Sequence, residues 1–228
     1  MADTSITSVV NTPSDQVVNR IGNNQLTGIN KFGSLTDYLQ IDASGHLTLV
    51  GNATVFDDEK GDILSLRVEG PGVSANVTES TVDFLRTANL SDYIYTNVQM
   101  SHRWKIGSVV YPHIHYFQTV AGIPNFLLQY RWQTNGGVKT TAWTNYKCNT
   151  AAFTYTAGTI HQIAHDSGIT PPVGSGLSDI IQFRIIRDVA NSSGVFAGTD
   201  PDGSVVGIIS FDVHTERDKL GSNSEYTA

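Results

Sequence analysis

Between Ile94 and Lys105 the chain alternates. Ile94, Thr96, Val98, Met100, His102 and Trp104 fall on one side of an extended backbone; Tyr95, Asn97, Gln99, Ser101, Arg103 and Lys105 fall on the other. That period of two predicts a half-buried strand, and a strand of this kind needs neighbours on both edges and a second layer against its apolar face. The composition points the same way. Val, Ile and Thr number 63 against 38 for Ala, Leu, Lys and Glu together, so the chain is poor in helix formers. A mainly helical fold is excluded on this ground.

Further strands are expected along the sequence. YLQI and HLTLV, from Tyr38, flank an Asp-Ala-Ser-Gly turn, and GDILSLRVEGPG adds a strand with a Gly-Pro stop. Val109 to Gln118, then FLLQYRWQ and VKTTAWTNYKC around an Asn-Gly-Gly turn, extend the series into four consecutive strands, read as one antiparallel sheet. Thr159 to Ala164, Ile180 to Ile186 and Val205 to His214 complete nine to eleven. Thr81 to Asn89 is the one stretch read as a short helix. No strand–helix–strand rhythm occurs, which disfavours a parallel α/β sheet. The expectation is all-β: an antiparallel β-sandwich of jelly-roll type over 37–228, preceded by an extended arm over 1–36 whose Asn, Gly and Ser follow no sustained period.

Charge narrows the function classes. The net charge is −7 with 14 Lys and Arg and no basic run, so nucleic acid is not an expected partner. No window of 18 uninterrupted apolar residues occurs and the first residues lack both a basic and an apolar signal region, so a soluble, unsecreted chain without a membrane partner is expected. Cys148 is the single cysteine, which leaves stability to packing or assembly. Charged residues are only 15% of the chain while Ser, Thr and Asn number 59. A weakly charged polar surface on many short strands suits a rigid structural or recognition module.

The chemistry-bearing patterns are incomplete. Gly107-x5-His113-x-His115 matches the opening of the cupin metal motif, two histidines on one strand face, but Thr119 and Val120 stand where the Glu is needed. His113 and His115 are read as packing with Tyr111 and Phe117; alternatively, three copies around a threefold axis would present a ring of imidazoles. His161-Gln-Ile-Ala-His165 has zinc-protease spacing, yet Gln162 cannot act as the general base and the segment reads as a strand. His102 and His214 are read as hydrogen-bonded core or interface residues. Asp57-Asp58-Glu59 and Asp200-Pro-Asp202-Gly203 are read as turns rather than calcium loops. No nucleophile elbow or phosphate loop is present. No catalytic residue, metal or cofactor is therefore expected.

Four segments in order, GHLTLVGNATVFDD, QMSHRWKIGSVVYPHIHY, FRIIRD and FDVHTERDKLGSNSEY, give the region from Gly45 to the C-terminus a resemblance to a group of tailed-bacteriophage and prophage structural proteins. In that group G-N-A-T-x-x-D-D, H-x-W-K-x-G…P-H-[IV]-H and a terminal G-S-x-x-E-Y recur; Ser101 and Arg103 here replace the usual Pro and Ala. The resemblance implies a virion component. Three readings follow. One is a non-enzymatic cement or decoration protein, a homotrimer on the outer capsid surface that bridges subunits of the major capsid protein. Another is a tail, neck or fibre module mediating tail assembly or host contact, and the last is a cupin-like or glycan-cleaving enzyme. In the cement reading the arm contacts the capsid through Ile6, Val9, Val10, Val17, Val18, Ile21, Leu26 and Ile29, and strand faces carrying Trp104, Trp132 and Trp143 are covered by trimerisation.

Overall fold

The structure, a computed structural model, describes residues 19–21, 25–27, 29–61, 68–120, 122–147, 157–164, 167–200 and 203–220. In chain order, β1 (Asn19–Ile21) and β2 (Gln25–Thr27) pair as a hairpin, and β3 (Asn30–Gly33), β4 (Tyr38–Ile41) and β5 (Leu47–Val50) form an antiparallel meander. Eleven strands follow: β6 (Val55–Gly61), β7 (Val68–Glu69), β8 (Val73–Asn76), β9 (Thr81–Phe84), β10 (Tyr93–Gln99), β11 (Tyr111–Gln118), β12 (Phe126–Gln133), β13 (Thr144–Lys147), β14 (Ile160–Ala164), β15 (Ile180–Arg187) and β16 (Val206–Arg217). They make two antiparallel sheets. One runs β13-β12-β15-β10-β7; the other runs β14-β11-β16-β9-β8, with β6 also pairing the C-terminal half of β16.

The alternation in each strand sends one face into the space between the sheets. Ile94, Thr96 and Val98 from β10 meet Phe183 from β15 and Phe126, Leu128 and Trp132 from β12; opposite them lie Ile114, Tyr116, Ile208, Phe211 and Val213. Ring pairs stitch the two layers, with Phe183 and Phe211 at 4.8 Å and Tyr116 and Phe126 at 5.1 Å between centroids. Each such side chain withdrawn from water contributes on the order of 1.5–3 kcal/mol before ordering costs. At Gly61, opposite Phe211, an added Cβ would overlap Thr96 Oγ1 and come within 2.9 Å of the Phe211 ring, so only glycine lets β6 approach. A second polar core sits at one end: Arg187, wholly buried, pairs through Nε with Asp200 at 2.8 Å and donates to the Phe84 and Ser204 carbonyls.

Several expectations need correction. The all-β sandwich holds, but the jelly-roll subtype is not assigned by this strand order, because β8–β9 and β12–β13 are local pairings within one sheet. The four consecutive strands do not form one sheet; β11 lies in the layer opposite β10, β12 and β13. Thr81–Phe84 is strand, pairing with β8 and β16, not helix. β10 stops at Gln99, and Trp104 is held instead by a single bridge to Arg217. Asp57, Asp58 and Glu59 lie within β6 rather than in a turn. Trp104 and Trp132 are core residues, so of the three tryptophans only Trp143 reaches the surface. Within 1–36, the described residues form the β1–β2 hairpin and the start of the meander, which crosses the boundary placed at residue 36.

Candidate functional site

β16 contains the feature that builds the site. Its N-terminal half turns Val206 and Ile208 inward, whereas its C-terminal half turns Phe211 and Val213 inward. The change of phase is a bulge: His115 pairs Ser210 while Tyr116 pairs Ile208, leaving Ile209 without a partner on β11. Past this bulge, Asp212 and His214 point away from the core, onto the same outer face as His113 and His115 of β11 and Asp58 of β6.

These five residues form one cluster. His115 Nε2 lies 3.0 Å from Asp212 Oδ2, and His214 Nε2 lies 2.6 Å from Asp58 Oδ1. His113 Nδ1 stands 3.6 Å from Asp212 Oδ1, beyond hydrogen-bond reach, and its ring is 3.9 Å from the His214 ring. His113 and Asp212 are each only 7% exposed, and among the described residues neither His113 Nδ1 nor Asp212 Oδ1 has a hydrogen-bond partner. Burial first, then the neighbouring His214 and His115, pushes the His113 imidazole down to about 4, so it is neutral at pH 7. Burial likewise pushes Asp212 up.

The sequence singled out His113 and His115 and expected packing with Tyr111 and Phe117. Instead His113 packs against His214 with the rings tilted by 46°, and Tyr111 meets Phe56, with centroids 6.2 Å apart. The partners described for them lie within one chain. Asp212 and Asp58 were missed as partners of these histidines. The signal for Asp212 lay in VVGIISFDVH, where the apolar period of two breaks at Ile209. His161 sits in β14 beside the Tyr116 ring, at 5.6 Å, and His102 Nε2 is 2.9 Å from Ser178 Oγ, consistent with its reading as a hydrogen-bonded residue. His165 and Cys148 lie outside the described residues, as do Ile6, Val9, Val10, Val17 and Val18. Ile21 and Leu26 fall in the β1–β2 hairpin, and Ile29 is exposed. Asp200 is committed to Arg187.

Two other surfaces stand out. On the outer face of the five-stranded sheet, Arg184 lies over Trp143, Tyr93 and Tyr95 at 4.2, 4.5 and 5.1 Å, and Arg131 lies over Trp143 at 4.4 Å, with Gln129, Gln133, Gln182 and Asn145 around them. The other surface is the meander, where no described residue between 29 and 60 is buried and Phe32, Leu35 and Leu47 are exposed. The meander is tied to the end of β16: Leu49 N donates to the Asp218 carbonyl at 2.5 Å, and Glu216 binds the Thr54 hydroxyl and, at 2.9 Å, Lys105.

No protein-family profile matches the chain, and no curated protein does. Solved structures similar to it include the CBM22-1–GH10 modules of Clostridium thermocellum endo-1,4-beta-D-xylanase 10B with xylohexaose, at 13% identity and TM-score 0.37 over 76% of this chain. TmCBM27, a mannan-recognising carbohydrate-binding module, shares 8% identity at TM-score 0.29 over 70% of this chain and 88% of its own. The enzymatically active domain of bacteriophage CBA120 tailspike protein 4 shares 10% identity at TM-score 0.28 over 73%. This chain spans 29% of the first and 19% of the third. All three are β-rich, and at these scores the likeness goes no further.

Proposed function

We propose that the protein is a non-enzymatic structural component of a tailed-phage particle, a cement protein that sits on the outer head surface as a homotrimer and stabilises contacts of the major capsid protein. The observation that carries this reading is the meander. Three strands with no buried side chain among their described residues cannot be stable alone in water, since such a sheet needs an apolar face covered by something else. Ile29, Phe32, Leu35 and Leu47 supply that apolar surface, and the sandwich leaves them 37–79% exposed. Neighbouring copies of the chain cover it, and the residues before β3 reach the capsid. The ordered series of motifs from Gly45 onward supports the virion setting.

The test is a triple variant, Phe32→Ser, Leu35→Ser and Leu47→Ser. These side chains contribute little to the isolated sandwich, so far-UV circular dichroism and Tm stay near wild type while native mass spectrometry loses the trimer and binding to mature heads falls. A wild-type chain that is monomeric at micromolar concentration, or immunogold label confined to the tail, rejects the cement reading.

The aromatic and guanidinium face favours a second reading, contact with a host surface by a tail or fibre module. Tyr93, Tyr95 and Trp143 offer ring planes, and the surrounding amides and guanidiniums offer hydrogen bonds, the pairing that polar ring-shaped ligands such as sugars require. Trp143→Ala abolishing adsorption to cells, with head stability unchanged, would select it.

A further inference from the structure

We propose that His113, Asp212 and His214 form a binding site for one late first-row divalent metal ion of the Zn2+ class, with Asp58 and His115 as its outer supports. Each of the three residues offers a ligand atom, and these atoms lie within 4.8 Å of one another. Two of them are the cluster's orphans. His113 Nδ1 and Asp212 Oδ1 are buried, face each other at 3.6 Å and have no hydrogen-bond partner among the described residues. Native interiors rarely leave such atoms unpaired, because an unsatisfied buried polar atom is destabilising. A tetrahedral ion with bonds of about 2.0–2.2 Å holds adjacent N and O ligands roughly 3.3–3.6 Å apart, so the gap between the two orphans is the span of a shared ion.

The donor set chooses the class of metal. Two imidazoles and one carboxylate suit Zn2+, Co2+ or Fe2+, whereas Ca2+ and Mg2+ take oxygen cages. The surroundings resemble the outer shell of built metal sites, in which carboxylates and imidazoles orient the ligands. Asp58 holds His214 through Nε2, which leaves Nδ1 as that ring's second donor atom, and His115 engages Asp212 through Oδ2, which leaves Oδ1. The bulge at Ile209 is what turns Asp212 to this face, so the site is specified by β16's register. Three protein ligands leave a fourth position for solvent.

The experiment uses tag-free, full-length protein stripped with chelator and titrated with Zn2+ and Co2+ alone. The expected result is one ion per chain, a visible Co2+ absorption characteristic of a four- or five-coordinate nitrogen and oxygen site, and a rise in Tm on Zn2+ addition. Asp212→Asn and His214→Gln should each weaken Zn2+ binding at least about 100-fold; Asp58→Asn, at an exposed carboxylate, should weaken it about 10–100-fold with the fold intact. His46→Ala, a surface histidine paired with Asp42, should leave it unchanged. Absence of stoichiometric binding in the wild type overturns the proposal, and so does binding that survives Asp58→Asn and Asp212→Asn at full strength. Because the readout is metal occupancy, its failure leaves the virion reading standing.

Discussion

The sandwich and the meander are built from the same kind of strand, yet one has a core and the other has none. In the sandwich, period-two strands face each other across two layers, and Trp104, Phe126, Phe183 and Phe211 are fully withdrawn from water. In the meander, Tyr38–Ile41 and Leu47–Val50 pair with good register but have no second layer, so their side chains remain half-buried or exposed. Backbone pairing satisfies polar groups; it does not by itself supply the apolar burial that offsets chain ordering. The sandwich is therefore expected to stand alone, and the meander to depend on a partner.

Substitutions should separate the two regions sharply. The largest effect is expected from Phe211→Ala, which empties the centre of the sandwich and should cost roughly 3–5 kcal/mol, read by urea unfolding. Removing Asp200, as in Asp200→Ala, takes a buried carboxylate from the Arg187 guanidinium and should cost about 3 kcal/mol by the same measurement. Gly61→Ala forces a methyl against Thr96 and the Phe211 ring; a loss of about 1–3 kcal/mol is expected, with β6 displaced from β16. Leu35→Ser, at a residue 79% exposed, should change the unfolding free energy by less than about 0.5 kcal/mol while still weakening association. A destabilisation by Leu35→Ser as large as that of Gly61→Ala would erase the contrast between the regions.

The contrast also shows what the sequence could reveal. Alternation from Ile94 to Gln99 was readable because it is local, and β10 follows it residue by residue. It ended early because Trp104 is positioned by a long-range bridge to Arg217. The Asn-Gly turn after Gln133 was readable too, but β13 begins only at Thr144; the Gln133 side chain bonds the Thr140 amide and carbonyl where ladder bonds were expected. Thr81–Asn89 was read as a short helix, yet Phe84 pairs with both Val206 and Val73, and Thr81–Phe84 is a strand between β8 and β16. For the site, His113 and His115 were visible as a motif. Asp212, His214 and Asp58 join them only through the pairing of β16 with β11 and β6, and a single bulged residue decides which of them face outward. A one-residue register choice between strands about 100 residues apart leaves only a faint trace in the sequence.

The dependence of the meander on neighbouring copies can be measured by hydrogen exchange on full-length protein, as the assembled trimer and again diluted until native mass spectrometry shows monomer. Amides of Leu39–Ile41 and Thr48–Val50 are expected to be protected in the trimer and to exchange rapidly in the monomer, while β10, β15 and β16 are protected in both. Equal protection of the meander in the two states would contradict that dependence.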